Sequence, residues 1–240
     1  MALNHPMLER ETPMTERDLE GWTIAFDLDG TLVDSAPDLI GTLNRLLAKE
    51  GLPPRPVSAA RHLVGHGALA LLKNGFAEAG AEWKEENSKA LFDAFLADYN
   101  ANIAVDTAPF PSCLDVLDRL AARGATLVVA TNKRTDLSTN LMDTLGISSR
   151  FAAIVGPDIV SSKKPDGAHI REAVLKVGGD PAKAVMVGDS TTDTRAAKDA
   201  NIPCILVSFG YSDVPVPEIG GDITIDHYDE FEAALAKLVA

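Results

Sequence analysis

The chain has 240 residues, 46% of them hydrophobic and 24% charged, a balance that fits a globular protein and argues against disorder. With 22 Lys plus Arg against 35 Asp plus Glu, the formal net charge is −13, which argues against partners that present many phosphates, whether nucleic acid or an anionic membrane. It leaves open a small anionic substrate, because local charge decides that. Two cysteines, Cys113 and Cys204, form neither a disulfide framework nor a metal-ligand pair, and with no signal-like stretch near the N-terminus the expected location is the cytoplasm. The longest apolar runs, such as 125–130, are of strand length, so no membrane span is expected.

In chain order, residues 1–20 are polar and proline-broken and read as a flexible tail. Thr23 to Leu28 reads as a buried strand that runs into carboxylates. Asp34-Ser35-Ala36-Pro37 opens a helix with apolar positions at Leu39, Leu43, Leu46 and Leu47, stopped by Gly51. From Pro53 to about Asp106 the text is helical, with segments over 67–79 and 83–103 and no strand. After Pro111 the pattern alternates: strands at 126–130, 153–155, 184–187, 204–207 and 223–225, with helices at 112–123, 134–145, 166–177, 192–200 and 229–239. Such alternation predicts an α/β fold: a Rossmann-like, doubly wound parallel sheet. The helical block interrupts it after the first strand. The expected organisation is therefore a core of 21–35 and 108–240 with an inserted α-helical cap over 36–107.

Open parallel sheets bind ligands beyond the carboxyl ends of their strands. Each predicted strand delivers polar residues to that rim: Asp27, Asp29, Gly30 and Thr31, then Thr131, Asn132 and Lys133, then Lys163 and Lys164, then Gly188, Asp189, Ser190 and Asp193. If the chain turns at Gly30, Asp27 and Asp29 can face one ligand, one as nucleophile and the other handling protons. Four acids at one spot repel unless a cation joins them, and oxygen ligands without His or Cys suit Mg²⁺. Thr131 offers a hydroxyl and Lys164 a point charge to phosphoryl oxygens. Together these describe phosphoryl transfer.

The stretches DLDGTLVDS (27–35), TN (131–132), KP (164–165) and GDSTTD (188–193) resemble, in order, the four motifs of the haloacid dehalogenase-like hydrolase superfamily. The resemblance spans the chain after its first residues. It implies Asp27 as the nucleophile that becomes an aspartyl phosphate and Asp29 as general acid and then base. It implies Thr131 as phosphoryl binder, Lys164 as the charge that stabilises both Asp27 and the transferred group, and Asn132 and Gly30 beside the substrate. Asp189 would hold Mg²⁺ together with Asp27, Asp193 would hold it directly or through water, and Asp29 would add its backbone carbonyl. DSAPDL, LVGHGA (63–68), TNK and FGYSD (209–213) are further similar to the phosphoglycolate phosphatases of that superfamily, implying 2-phosphoglycolate as substrate. The family's frequent second proline after Lys-Pro is missing here, so the choice of Lys164 over Lys163 rests on adjacency to Pro165.

Several of these residues have plainer readings. Asp193, Ser190 and Thr191 also read as first-turn and capping residues of a helix. His66 reads either as a surface histidine or as a substrate contact from the cap, and Lys133 either as a cation for the substrate or as a cap on the rim. The stripe of Phe95, Tyr99 and Trp83 reads as cap core. The expected activity is a Mg²⁺-dependent phosphomonoesterase acting on a small anionic phosphorylated substrate, as a monomer or homodimer. The alternatives are another small-phosphate phosphatase, a phosphosugar mutase of the same superfamily, or a non-enzymatic receiver-like signalling domain. Asp29 and the Gly30-Thr31 pair argue against the dehalogenase and mutase branches, and the helical insertion argues against a receiver.

Overall fold

The computed structural model describes residues 17–239, apart from Asp213 and the side chains of residues 65 and 66. Of the expected tail, residues 1–16 lie outside this range. Residues 17–20 do not behave as a tail: Leu19 is fully buried, its N–H donates to the Arg123 carbonyl at 3.0 Å, and Asp18 pairs with the Arg123 guanidinium at 2.6 Å. A single apolar residue at 19 among charged neighbours gives no periodicity from which to read this.

The chain begins with β1 (Thr23–Phe26), a short β2 (Val33–Asp34) and α1 (Ala36–Lys49). Helices α2 (Val57–Ala60), α3 (Ala68–Glu78) and α4 (Glu85–Ala101) follow, then β3 (Ala108–Pro109). The alternating half runs α5 (Cys113–Ala122), β4 (Thr126–Ala130), α6 (Thr135–Thr144), β5 (Ala153–Val155), α7 (Ala168–Lys176), β6 (Ala184–Gly188), α8 (Thr191–Ala200) and β7 (Cys204–Val207). It closes with α9 (Val216–Ile219), β8 (Ile223–Ile225) and α10 (Phe231–Ala236).

Six strands form one parallel sheet in the order β5-β4-β1-β6-β7-β8. The chain works outward from β1 through β4 to β5 and then crosses back to β6 on the other side. The loops after β1, β4 and β6 therefore meet where connections diverge, the crevice in which ligands of such sheets bind. The side-chain alternation of the strands sorts their residues into two layers. Ile24, Phe26, Leu127, Val129, Val185 and Val187 face one apolar layer, while Ala25, Val128, Ala130 and Met186 face the other. The second layer is thin, built with Ile170, Ala173 and Val174 of α7 and Ala196, Ala197 and Ala200 of α8. The first is thick and runs on through Leu43 of α1 into Leu71, Phe76 and Phe95 of the helices between β2 and β3. Gly75 lets α3 approach α1 so closely that a Cβ there would collide with Leu43.

Where the chain enters and leaves the helical insertion it forms a two-rung antiparallel ladder, Val33 opposite Pro109 and Asp34 opposite Ala108. Two-residue strands carry no readable period, and Pro109 reads as a breaker, so this ladder was not expected. Beside it, buried Asp38 accepts from the N–H groups of Val105 (3.0 Å), Asp106 (3.1 Å) and Thr107 (2.8 Å) and from the Thr107 hydroxyl (2.6 Å). A carboxylate holding three backbone donors satisfies an irregular segment that otherwise has no ladder or helix to pair with.

Candidate active site

The loop after β1 is built to turn. The Leu28 carbonyl accepts from the N–H groups of Leu32 (3.0 Å) and Val33 (3.1 Å), and Gly30 N donates to Val33 O at 3.0 Å. Gly30 has φ +84°, and a Cβ on it would collide with the Asp189 carboxylate and the Tyr211 ring. Only glycine meets both demands, the left-handed backbone and the close approach. Asp27 is still tied to the sheet, its N–H donating to Val187 O at 2.9 Å, whereas Asp29 lies beyond the strand. The turn thus brings two acids that strand alternation would set on opposite faces to one cavity, as expected from the sequence.

Asp27, Asp189 and Asp193 place carboxylate oxygens within 4.8 Å of one another. Lys164 stands among them: Nζ lies 2.7 Å from Asp193 Oδ1, a hydrogen bond, and 2.9 Å from Asp27 Oδ1, an ion pair whose alignment leaves that oxygen without a hydrogen bond. The Lys164 side chain is 1% exposed and that of Asp193 0%, so little solvent screens these charges. Burial pushes the Asp27 carboxyl up to about 6 against the pull of Lys164, with Asp193 adding to the rise. Burial, Asp193 and Asp27 hold Asp189 well above the carboxylate range. Burial opposes the Lys164 ammonium, yet Asp193 and Asp27 overcome it and hold the lysine above its ordinary value. Three acids against one base leave two uncompensated negative charges when all ionise, and the donors are all hard oxygens. That set fits a divalent cation of the Mg²⁺ kind. The Asp29 carboxylate stands outside it.

Two of the three carboxylates, those of Asp189 and Asp193, are held by hydrogen bonds from neighbouring groups. Asp193 opens α8 and takes Ser190 Oγ (2.7 Å), Ser190 N (3.1 Å) and Asp189 N (3.3 Å) on Oδ2, so the capping reading of Ser190 and the site reading of Asp193 both hold geometrically. Asp189 accepts from Tyr211 N at 2.6 Å and from the Thr31 hydroxyl at 3.3 Å. Tyr211 then reaches the ladder: its hydroxyl donates to Asp34 Oδ1 at 2.7 Å and accepts from Ala36 N at 3.0 Å, while the Arg61 guanidinium stacks 5.1 Å from its ring centre. Sequence reasoning missed this role, although FGYSD had marked the stretch.

Thr131, buried, follows β4 and faces the cavity with Asp27 and Asp29. Asn132, expected at the substrate, lines the cavity, while its side-chain amide is committed to Lys164. It donates from Nδ2 to Lys164 O and accepts from Lys164 N on Oδ1, both at 2.9 Å, so it seats the lysine across a cis Lys164–Pro165 peptide. Lys163 is exposed, whereas Lys164 reaches Asp27, which separates the two candidates. Lys133 Nζ lies 3.0 and 3.2 Å from the two Asp29 oxygens and 2.7 Å from the Tyr99 hydroxyl, with the Tyr99 ring centre 4.4 Å away. Ser35 Oγ also donates to Asp29, at 2.5 Å. Tyr99 stacks on Phe95 as expected of helical core, but its hydroxyl reaches the rim of the sheet. The side chain of His66 lies outside the described residues.

These groups enclose a cavity of about 270 Å³. Asp27, Asp29, Thr131 and Lys133 form its floor, and Leu71, Phe92, Phe95 and Leu96 of the helical insertion wall it. Among the described residues no helix is long and apolar enough to cross a membrane.

Known proteins agree with this architecture. The family model described as haloacid dehalogenase-like hydrolase matches residues 24–207. A protein of Caulobacter vibrioides named phosphoglycolate phosphatase is 50% identical over 94% of this chain and 95% of its own length. One of the same name from Agrobacterium fabrum is 42% identical over 95% of this chain and 97% of its own. The crystal structure of a predicted phosphoglycolate phosphatase from Haemophilus somnus superposes with a TM-score of 0.82 at 28% identity, covering 92% of this chain and 99% of that one. With four motifs meeting at one sheet edge and a family model spanning most of the chain, the protein belongs to the haloacid dehalogenase-like hydrolases.

Proposed function

We propose that this chain is a Mg²⁺-dependent phosphomonoesterase that works through a phosphorylated Asp27, with 2-phosphoglycolate as its substrate. The observation that carries the reading is the position of Asp27. It lines a cavity of about 270 Å³ beside the Lys164 ammonium and within 4.8 Å of the Asp189 and Asp193 carboxylates, and Asp29 lines the same cavity. A half-buried carboxylate paired with one cation and lining a cavity is a nucleophile's environment. The names of the relatives at 50% and 42% identity support the substrate.

In this reading an Asp27 carboxylate oxygen attacks phosphorus and the bond from phosphorus to the ester oxygen breaks. Asp29 delivers a proton to that oxygen, so the alcohol leaves neutral. Asp29 then takes a proton from a water that attacks the same phosphorus, and inorganic phosphate leaves with Asp27 restored. Lys164 neutralises charge on the transferring group, and the Thr131 hydroxyl binds one of its oxygens. Mg²⁺, held by Asp27, Asp189 and Asp193, would supply positive charge to the phosphoryl oxygens. The helices of 36–107 act as a cap that excludes bulk water from the aspartyl phosphate. The acidic chain, poor in cysteine, suits the cytoplasm.

The test is a panel of phosphate monoesters ranked by kcat/KM with Mg²⁺ present. The reading expects 2-phosphoglycolate at the head of the ranking. A protein that hydrolyses none of them, yet keeps a long-lived phosphoryl group after treatment with acetyl phosphate, would be a receiver instead.

A further inference from the structure

We infer that Tyr99 and Lys133 together form the subsite for the substrate's second negative group, a carboxylate attached one carbon from the ester oxygen. The inference rests on the phosphomonoesterase reading above and deepens it. It starts from a count of donors. The Lys133 ammonium bonds both Asp29 oxygens and the Tyr99 oxygen; the two oxygens of one carboxylate subtend far less than the tetrahedral angle between N–H bonds, so one of its three protons serves both, and a second goes to Tyr99. Tyr99 uses its oxygen to accept, so its own O–H remains to donate. Among the described residues neither remaining proton has an acceptor, and the two atoms that carry them lie 2.7 Å apart on the wall of the cavity that contains Asp27. Two donors at that separation match the two oxygens of a carboxylate.

Their place sets the length of the ligand. Asp29 serves the ester oxygen, and Lys133 Nζ is 3.0 Å from Asp29, so the donors lie about one group beyond the ester oxygen. A two-carbon acid esterified at its hydroxyl puts its carboxylate there, whereas a sugar phosphate puts a hydroxylated carbon chain there. The side of the cavity that the helical insertion supplies is otherwise apolar, with Leu39, Phe92, Phe95 and Leu96, and offers a polyol little to bond. The other cations that line the cavity are placed differently: Arg134 is exposed and paired with Asp136, and Lys163 is exposed. The Lys133 side chain is only 8% exposed, so its charge acts through little solvent. Tyr99 comes from the helical insertion and Lys133 from the sheet, so a carboxylate bound by both would also hold the insertion against the sheet.

The experiment compares kcat/KM for 2-phosphoglycolate and for ethyl phosphate, the same ester without the carboxylate. The wild-type protein is expected to prefer the carboxylated ester strongly. Tyr99→Phe keeps the ring on Phe95 and is expected to lower the ratio of the two kcat/KM values about tenfold or more, the loss expected of a hydrogen bond to a charged group. Lys133→Gln is expected to lower it further, whatever it does to both rates through Asp29. If the wild type favours 2-phosphoglycolate but neither variant changes the ratio, the subsite is overturned and the substrate stands. If the wild type shows no preference for the carboxylated ester, the substrate assignment falls, and the subsite with it.

Discussion

Asn132 and Lys164 exchange two hydrogen bonds of 2.9 Å, side-chain amide to backbone, across the gap between two strand ends. The pair explains how a lysine on an irregular loop is aimed at Asp27 with its stem fully buried. Asn132→Ala removes both bonds at once while leaving every charge in place. We predict a fall in kcat of about 100-fold with a smaller change in KM, the signature of a misplaced catalytic group. Steady-state kinetics on the best phosphate ester measures it, and Asn132→Asp, which keeps the acceptor for Lys164 N–H, is expected to recover part of the loss.

Asp27→Asn should lower turnover by about 10⁴-fold or more, because an amide is no nucleophile. Substrate binding should survive, since Lys164, Thr131 and the other two acids of the metal cluster, Asp189 and Asp193, remain. Rapid-quench mass spectrometry should find a phosphorylated protein in the wild type and none in the variant. A phosphorylated Asp27→Asn protein would place the nucleophile elsewhere.

The Asp27–Asp189–Asp193 cluster predicts that chelation abolishes activity and that Mg²⁺ restores it. A bound ion also stabilises the folded state, by about 2.7 kcal/mol at a hundred times its Kd. Thermal unfolding with and without Mg²⁺ should show that rise in Tm for the wild type and a much smaller one for Asp189→Asn.

Asp38 takes no part in the proposed chemistry and its loss should show in stability. Asp38→Ala strips the N–H groups of 105–107 of their acceptor; a buried donor left unpaired, as at Thr107, costs about 1–3 kcal/mol, while water recovers most of the loss at the exposed Val105 and Asp106. A drop of about 3 kcal/mol in urea unfolding is expected. A change under 0.5 kcal/mol would show that the segment holds its shape without the carboxylate.

His169 on α7 is fully buried, with Nδ1 3.1 Å from the Ser162 carbonyl and Nε2 without a partner. Burial, aided by Lys164, lowers its pKa from 6.5 to about 4. The unfolded chain therefore binds a proton that the folded protein refuses between those values. The stability this neutral histidine contributes is present above pH 6.5 and is lost as pH falls through 6.5 toward 4, by at most about 3 kcal/mol. Urea unfolding of the metal-loaded protein between pH 7 and 5 should lose part of its pH slope in His169→Phe.

The sequence made the sheet legible because buried parallel strands are short apolar runs and each ends in a glycine, a hydroxyl or a carboxylate. Asp27, Thr131 and Asp189 stand just past strand ends and follow from that rule, whereas Lys164 is picked out from Lys163 by the proline beside it. What escaped were relations between distant residues. Asp38 looks like any first-turn acid of a helix, and only the returning chain 67 to 69 residues later gives it its partners. Asn132 sits among substrate-facing residues and offers no sign that its amide turns to Lys164. Tyr99 occupies a core position of α4 by periodicity, and its hydroxyl at the end of the ring is what carries it to Lys133. Polar tips of largely apolar side chains leave no trace in a hydrophobic pattern.

The two-rung ladder of Val33–Asp34 with Ala108–Pro109 carries a consequence for the history of such folds. It brings exit and re-entry points side by side, so the sheet sees everything between them as a closed detour of no net span. The entropic charge for a longer or shorter detour grows only with the logarithm of its length. Helices can therefore be exchanged above the ladder while the strands below keep their register. A lineage can acquire a new substrate by trading one excursion for another, with the chemistry at Asp27 undisturbed.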